Sequence, residues 1–461
     1  MGELGLLGAT ISGYGCAGVS NVAGALITRA VERVDSGYRS SMSVQSSLAM
    51  GAIHDFGSAE QKDRYLPEMA KGKLIGAFGL TEPNHGSDPG SMEAVAREHP
   101  HKEGYFLLRG SKTWITNSPI ADVLVVWAKL QETGKIRGFL VDRKQCPAGT
   151  LETPAIKNKT GLRASITGMI HLEDCPVPKE NMFPEVEGLK GPFTCLNSAR
   201  YGIALGVMGA LEDCIDRARA YALERKQFRG NPLAKYQLVQ KKLADAATDA
   251  AYGTLAAIQV GRLKDQGKAT PDMISMIKRQ NCDRALHNAR VLQEIFGGNA
   301  VSDEYMIGRH VANLYVTQTY EGQSDIHSRS RLGQKERERE RDVVVLLITR
   351  PDIRSYLGTG NYRHPGLRLS HLVGVGNAAP AADPFAVIER DTRCGMKHWH
   401  MGRPVVRPPD PGDACMYTNL LYAQILDLLC RIKTRQTCIF SAGIDRAPGP
   451  LLLIIDHRHD P

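Results

Sequence analysis

Glu321 stands among small and polar residues, in Tyr320-Glu321-Gly322-Gln323-Ser324-Asp325. A carboxylate shielded from water beside an acidic C–H bond can act as a general base, because burial raises its pKa towards working pH. A single glutamate in a loop is equally read as a solvated surface group, and the residues alone leave both readings open. Arg39, in Tyr38-Arg39-Ser40-Ser41-Met42-Ser43, poses the same choice. It is a solvated or salt-bridged cation, or a guanidinium that answers a buried anion with charge-assisted hydrogen bonds, with Ser40 as a neutral donor beside it. The third candidate is a stretch, Phe78-Gly79-Leu80-Thr81-Glu82-Pro83-Asn84-His85-Gly86-Ser87-Asp88. Pro83 should end the preceding strand, and Asn84, Gly86, Ser87 and Asp88 supply turn chemistry and backbone donors. Such a loop suits a flat, polar-edged ligand, or is an ordinary surface turn.

Other signals are weaker. Gly13, Gly15 and Gly18 make a GxGxxG with no strand before it and no βαβ pattern around it, so a helix–helix connection is the better reading. Met1-Gly2-Glu3 starts like a myristoylation signal, but Leu6 stands where Ser or Thr is required. Ten cysteines show no CxxC pair or ligand-like spacing, which reads as reduced, mostly buried thiols.

The elements that must position these residues fall into three groups. Residues 1–73 read as helical: Val22, Leu26, Ile27 and Val31 recur at helical spacing, and Ser58 with Gln61 forms a capping box for a helix expected to end before Pro67. Residues 74–190 are strand-rich, with short runs at Tyr105–Leu108, Trp114–Thr116, Val123–Ala128, Ile136–Val141 and Ile166–Leu172. They predict a small β-barrel-like domain. Residues 191–327 return to helix. One stripe runs from Ile203 through Val207, Leu211 and Cys214 to Ala218, and Leu238, Leu243, Ala246 and Ala250 open a second. A third helix starts at Thr270-Pro271 and closes at Gly297-Gly298. Three long helices with short connections predict an antiparallel bundle, and the fold class is α+β.

Composition narrows the function. The chain of 461 residues can hold two or three domains. No apolar run approaches the ~18 residues of a membrane span. The net charge is +9, and residues 328–461 carry 20 Lys/Arg against 14 Asp/Glu. The remaining body is therefore close to neutral, which argues against a nucleic-acid-binding surface.

Four stretches together resemble the signature of one family. Phe78–Asp88, Lys112-Thr113-Trp114-Ile115-Thr116-Asn117, Arg225-Lys226-Gln227-Phe228 and Tyr320-Glu321-Gly322 stand in the order found in the acyl-CoA dehydrogenases. Within that family Arg33-Val34-Asp35-Ser36-Gly37-Tyr38-Arg39-Ser40 and Asn197-Ser198-Ala199-Arg200-Tyr201-Gly202 resemble the glutaryl-CoA dehydrogenases. The resemblance implies a helical domain (1–73), a β domain holding flavin and substrate (74–190) and a helical bundle (191–327). It implies FAD, with contacts from Phe78, Leu80, Thr81, Gly86 and Ser87, then from Trp114, Ile115 and Thr116 against the ring. Arg225 would meet the pyrophosphate. Gln237 and Glu294, Ile295, Phe296, Gly297 and Gly298 would contact the nucleotide from a neighbouring subunit, so a homotetramer is implied. Gln323 and Asp325 complete the set.

For the substrate, the resemblance implies Arg39 on a free carboxylate, assisted by Ser40 and Ser87. It places Phe193, Asn197, Arg200 and Gly322 along the CoA thioester and makes Glu321 the base. No metal is implied. The implied reaction is oxidative decarboxylation of glutaryl-CoA to crotonyl-CoA and carbon dioxide, with electrons passing to electron-transfer flavoprotein in a mitochondrial matrix. No targeting segment is expected in the chain.

Some features depart from the family pattern. The helical domain is shorter than expected at its start. Arg229 is one residue too many before Pro232, Ala300 stands for a glycine, and Gln323 stands for a threonine. After Asp325-Ile326-His327 the resemblance stops, and Lys335-Glu336-Arg337-Glu338-Arg339-Glu340-Arg341 opens an atypical basic stretch, 328–461, expected to be poorly ordered. It is a partner-binding module or a defective end. Two other functions stay open: dehydrogenation of a monocarboxylic acyl-CoA without decarboxylation, and an inactive scaffold.

Overall fold

The computed structural model describes residues 1–329. The expectation for the basic stretch therefore lies, from residue 330 onward, outside the described residues.

Residues 1–20 form turns and not helix, so Gly13, Gly15 and Gly18, all at positive φ, do not connect two helices, and no strand precedes them either. Helix α1, Asn21–Val34, starts on Ser20, whose side chain accepts from the Ala23 N–H. Asp35 interrupts the helix with extended backbone and caps α2, Ser36–Ser43, by accepting from the Gly37 N–H at 2.6 Å. The chain continues through a wider helical turn, Val44–Met50, into α3, Gly51–Phe56, and α4, Ala59–Ala70. Both halves of the Ser58–Gln61 capping box are formed. Helix α4 does not end before Pro67 but runs through it. The ring forfeits one backbone bond in the last turn, near exposed Asp63, while Leu66, Met69 and Ala70 bury their side chains and hold the turn in place.

Strands β1 (Gly76–Gly79), β2 (Val95–Glu98), β3 (Tyr105–Thr116), β4 (Val123–Leu130), β5 (Ile136–Asp142), β6 (Leu151–Glu152) and β7 (Thr167–Pro178) build one curled sheet. Its order is β1-β4-β2-β3-β7-β6, with β5 on β4. Two runs that read as separate strands, around Tyr105 and Trp114, are one strand with irregularities between Leu108 and Gly110 and between Lys112 and Ile115. Fully buried Trp127 on β4 packs between Phe78 and Phe183 and joins the sheet to the first helices.

The bundle consists of α5 (Lys190–Glu224), α6 (Gln237–Asp265), α7 (Pro271–Gln293) and α8 (Ile307–Thr319). A short hairpin, β8 (Lys226–Gln227) with β9 (Asn231–Pro232), joins α5 to α6. The residue in excess falls at its tip, where Phe228, Arg229 and Gly230 are all left-handed. Leu238 is not on the buried stripe of α6 but is exposed. At 100° per residue it lies well off the face that Ala246 and Ala250 bury. Among the described residues no helix is long and apolar enough to cross a membrane.

Candidate active site

Helix α2 connects two groups of candidate residues. Its buried Arg39 reaches towards α8 and the turn that follows it. Nε donates to Glu32 Oε2 at 2.7 Å, and Nη2 donates to the Tyr320 hydroxyl, with the guanidinium 5.6 Å from that ring's centre. Arg39 and Glu32 are both fully excluded from solvent. Burial alone would lower the Arg39 pKa, but Glu32 and Tyr320 outweigh it and the guanidinium stays charged. On the other side, the Ser41 carbonyl accepts from Asn117 Nδ2 at 3.5 Å, just past the end of β3. Ser40 is buried beside Arg39.

Glu321 stands on a left-handed turn (φ 53°), followed by Gly322 (φ 94°). The residue is half-buried, but its Oε2 has no solvent-exposed surface and no hydrogen-bond partner among the described residues. Burial raises its pKa, opposed by Arg39, Arg200 and Lys278. On α5, Arg200 Nε donates to the Glu321 carbonyl at 2.7 Å, and its Nη1 donates to Asn197 Oδ1 at 3.0 Å. Phe193 lies one turn before Asn197 and is partly exposed. Glu321, Gly322, Arg200, Asn197, Arg39 and Ser40 are thus brought together. Gln323 and Asp325 bond one another after the turn, at 2.7 and 3.2 Å.

The β-sheet presents the second group. Phe78 and Leu80 are buried, while Gly86 and Ser87 are exposed. Glu82 anchors the loop: Lys112 Nζ donates to it at 2.7 Å, and the Glu93 and Ala94 N–H groups donate at 2.5 and 2.9 Å. Burial would raise the Glu82 carboxyl, but these donors hold it below the usual range. His85 and Glu93 stand close enough to share an ion with Glu82, yet the Glu82 oxygens are already engaged. The Thr81 carbonyl accepts from the Thr113 N–H at 2.9 Å. Next to it the bulge puts Trp114 at φ 59° and leaves its indole 61% exposed, while Ile115 is buried and Thr116 pairs with Thr167. An aromatic ring held out to water by a strained backbone marks a ligand-facing position.

Arg225, Gln237 and Glu294–Gly298 are not brought to this site. Arg225 lies 25 residues beyond Arg200 on α5, about 37 Å along the helix axis. Arg225 and Gln237 are exposed. Glu294 pairs with Lys242 at 2.5 Å, and Ile295 and Phe296 point into the bundle core, where Phe296 stacks on Tyr221. The Glu294 side chain and the two glycines of that segment are exposed. Nearby, Phe228, Leu233, Tyr236, Gln237 and Leu238 line an open concavity of ≈ 570 Å³.

The sequence reading missed Glu32, Lys278 and His327. Glu32 gave no signal, because the Asp35 break hides its relation to Arg39. Lys278 had one: it occupies the stripe that runs through Ile274, Cys282 and Ala285, where a cation is out of place. His327 is buried against Gly322, and burial with Lys278 and Arg200 pushes its pKa down to about 3.

Three family domains match the chain: Acyl-CoA dehydrogenase N-terminal domain over residues 1–73, middle domain over 77–175 and C-terminal domain over 187–333. A short-chain specific acyl-CoA dehydrogenase of Mus musculus is 34% identical over 328 residues, 71% of this chain and 79% of the relative. A crystal structure of glutaryl-CoA dehydrogenase from Mycobacterium smegmatis is 45% identical, with TM-score 0.68, covering 71% of this chain and 82% of that one. A second structure of that enzyme, in complex with FADH2, is 42% identical with TM-score 0.68 and the same coverage. The chain belongs to the acyl-CoA dehydrogenase family, and with it to the FAD-dependent oxidoreductases. One feature of this chain fits the cofactor: the outward Trp114 side chain beside the polar loop.

Proposed function

We propose that the chain oxidises glutaryl-CoA and decarboxylates the product to crotonyl-CoA. The observation that carries this reading is Glu321 Oε2, buried and without a partner among the described residues, on a turn that also holds Arg39 through Tyr320. Phe78, Leu80, Thr81, Gly86, Ser87, Trp114, Ile115 and Thr116 would hold the flavin ring. Arg225, Gln237, Glu294–Gly298, Gln323 and Asp325 would meet the dinucleotide, some of them from another copy in a homotetramer. FAD, when bound, accepts the hydride that leaves the substrate's β-carbon.

The chain's own residues do the rest. Glu321 takes the α-proton, and burial raises its pKa, which makes the carboxylate a stronger base. The N–H of Glu321 polarises the thioester oxygen as charge develops there. Phe193, Asn197 and Arg200 line the thioester. Arg39 has donors to spare for a substrate carboxylate, since only Nε and Nη2 bond Glu32 and Tyr320 among the described residues. When that carboxylate departs as carbon dioxide, the carbanion is delocalised into the thioester, and protonated Glu321 supplies the proton that quenches it. The electrons then pass to electron-transfer flavoprotein.

A second reading, a monocarboxylic short-chain acyl-CoA, is favoured by the Glu32–Arg39 pair. This arginine already has a counter-ion. The test is the absorbance of the purified flavoprotein with each substrate. Bleaching by glutaryl-CoA with release of carbon dioxide, and none by butyryl-CoA, supports the first reading. Equal bleaching by both supports the second.

A further inference from the structure

We propose that Lys278 is a positioning residue for the general base: its ammonium ties together the carbonyls of Tyr320 and Gly322 and so fixes the turn on which Glu321 stands. The proposal rests on the reading of Glu321 as the base. Lys278 lies on α7 and is 1% exposed. Nζ donates to the Tyr320 carbonyl at 2.9 Å, to the Gly322 carbonyl at 2.8 Å and more weakly to the Gln318 carbonyl at 3.4 Å. Arg200 takes the carbonyl between them, that of Glu321. One buried and one half-buried cation therefore hold three consecutive carbonyls. Five residues along α7, Asp283 Oδ1 accepts from Gln318 Nε2 at 2.7 Å and from Ser324 Oγ at 2.6 Å, closing the outer ends of the same turn.

This arrangement answers a conformational problem. Glu321 is a non-glycine residue at φ 53° and Gly322 continues at φ 94°. Left-handed backbone at a branched-off carboxylate persists only where surrounding contacts over-determine it. Gly322 cannot carry a side chain either, because a Cβ there would stand 2.9 Å from His327 Nε2. Lys278 and Arg200 Nε donate to the backbone and Arg200 Nη1 to Asn197 Oδ1, and the Glu321 carboxylate keeps an oxygen without a partner among the described residues.

Lys278 also acts through charge. The charged and titratable groups that act on Glu321 are Arg39 from α2, neighbouring Tyr320, Arg200 from α5 and Lys278 from α7, with neutral His327 after the turn. No carboxylate forms an ion pair with Lys278 among the described residues; burial lowers its pKa, and of the carboxylates around it Glu321 opposes that more than Asp283 does. Removing it should make the carboxyl a weaker acid. A lysine present only to fill the bundle would change stability and leave both the chemistry and the carboxyl titration alone.

The test compares Lys278→Met, Lys278→Gln and Lys278→Arg in the full chain with FAD. Two readouts are taken: kcat and KM with the acyl-CoA that the wild type oxidises, and the titration of the Glu321 carboxyl by infrared difference spectroscopy. The Glu321 band is assigned by its loss in Glu321→Gln. Lys278→Met should lose about 10²-fold in kcat with KM changed by less than about threefold, because the loss lies in proton transfer. Its carboxyl midpoint should rise. Lys278→Gln can still bridge two carbonyls and should regain part of kcat while keeping the raised midpoint. Lys278→Arg, the variant of choice should the neutral ones not fold, keeps the charge and should keep the midpoint near wild type while kcat falls. An unchanged midpoint and kcat in Lys278→Met overturns the proposal, as does an arginine variant that matches the wild type in kcat. A wild-type protein that oxidises no acyl-CoA rejects the enzymatic reading instead, and the infrared midpoint still decides whether Lys278 governs Glu321.

Discussion

Burial disfavours the charged form of Glu321, and three cations oppose that effect without cancelling it. A carboxyl whose folded pKa lies above the unfolded value of ~4.3 binds its proton more tightly in the native state. The associated stability is present at low pH and lost as pH rises through that window. Glu321→Gln should therefore gain stability relative to wild type as pH rises above ~4.3, by at most about 1.4 kcal/mol per pH unit. Urea unfolding at several pH values measures this, and acyl-CoA-driven flavin bleaching should fall by at least ~10²-fold in the same variant. His327 has the opposite sign. Its pKa is pushed down to about 3, so its contribution is present above the unfolded value of ~6.5 and lost as pH falls from there. His327→Gln should flatten the acid side of the stability profile. Arg39→Met would strand Glu32 in the interior and cost about 3–5 kcal/mol, and adding Glu32→Gln should recover most of it; urea midpoints decide. Both Glu321 and Arg39 were visible as residue types in suggestive strings. What each one touches was not, because Glu32 and Lys278 reach them through pairings that only the assembled helices create.

Element boundaries followed from local chemistry wherever one signal dominated. Ser58 with Gln61 started α4, and Pro271 at the first turn started α7, as their side chains require. The expectation failed where packing overrode a local rule. Pro67 sits inside α4 because three buried neighbours hold that turn. Helix α8, which carries Tyr320 at its end, was not foreseen at all, since its stripe through Ile307 and Leu314 is short and mixed with polar residues. The joint between sheet and bundle also depends on packing. A Cβ on Gly191, in the first turn of α5, would run into the Trp127 ring and lie 2.7 Å from Val186 Cγ2. Gly191→Ala should destabilise the protein by roughly 1–3 kcal/mol through overpacking, read as a lower thermal midpoint.

At the scale of the molecule, the residues implied for one dinucleotide fall into two groups: one on the sheet and the turn after α8, the other at the far end of α5, where Arg225 lies about 37 Å along the axis from Arg200. The far group lies beside exposed Phe228 and Leu238, two large apolar side chains around an open concavity. Such surfaces are costly in water unless another chain covers them. In the proposed homotetramer, Leu238→Asp should reduce the mass measured by light scattering and, with it, the flavin retained after gel filtration, while leaving the helical circular dichroism intact. Periodicity could not reveal this. Leu238 reads as an ordinary core position until the phase of α6 is fixed by Ala246 and Ala250.

The contrast between Trp114 and Trp127 has a practical use. One indole is held out to solvent on the bulge and the other is sealed in the core, so their emission should differ in colour. With the third tryptophan, Trp399, replaced by phenylalanine, the red-shifted component would report on Trp114 alone. Its selective quenching during titration with flavin, against a steady blue component, would give an optical binding isotherm without added dye.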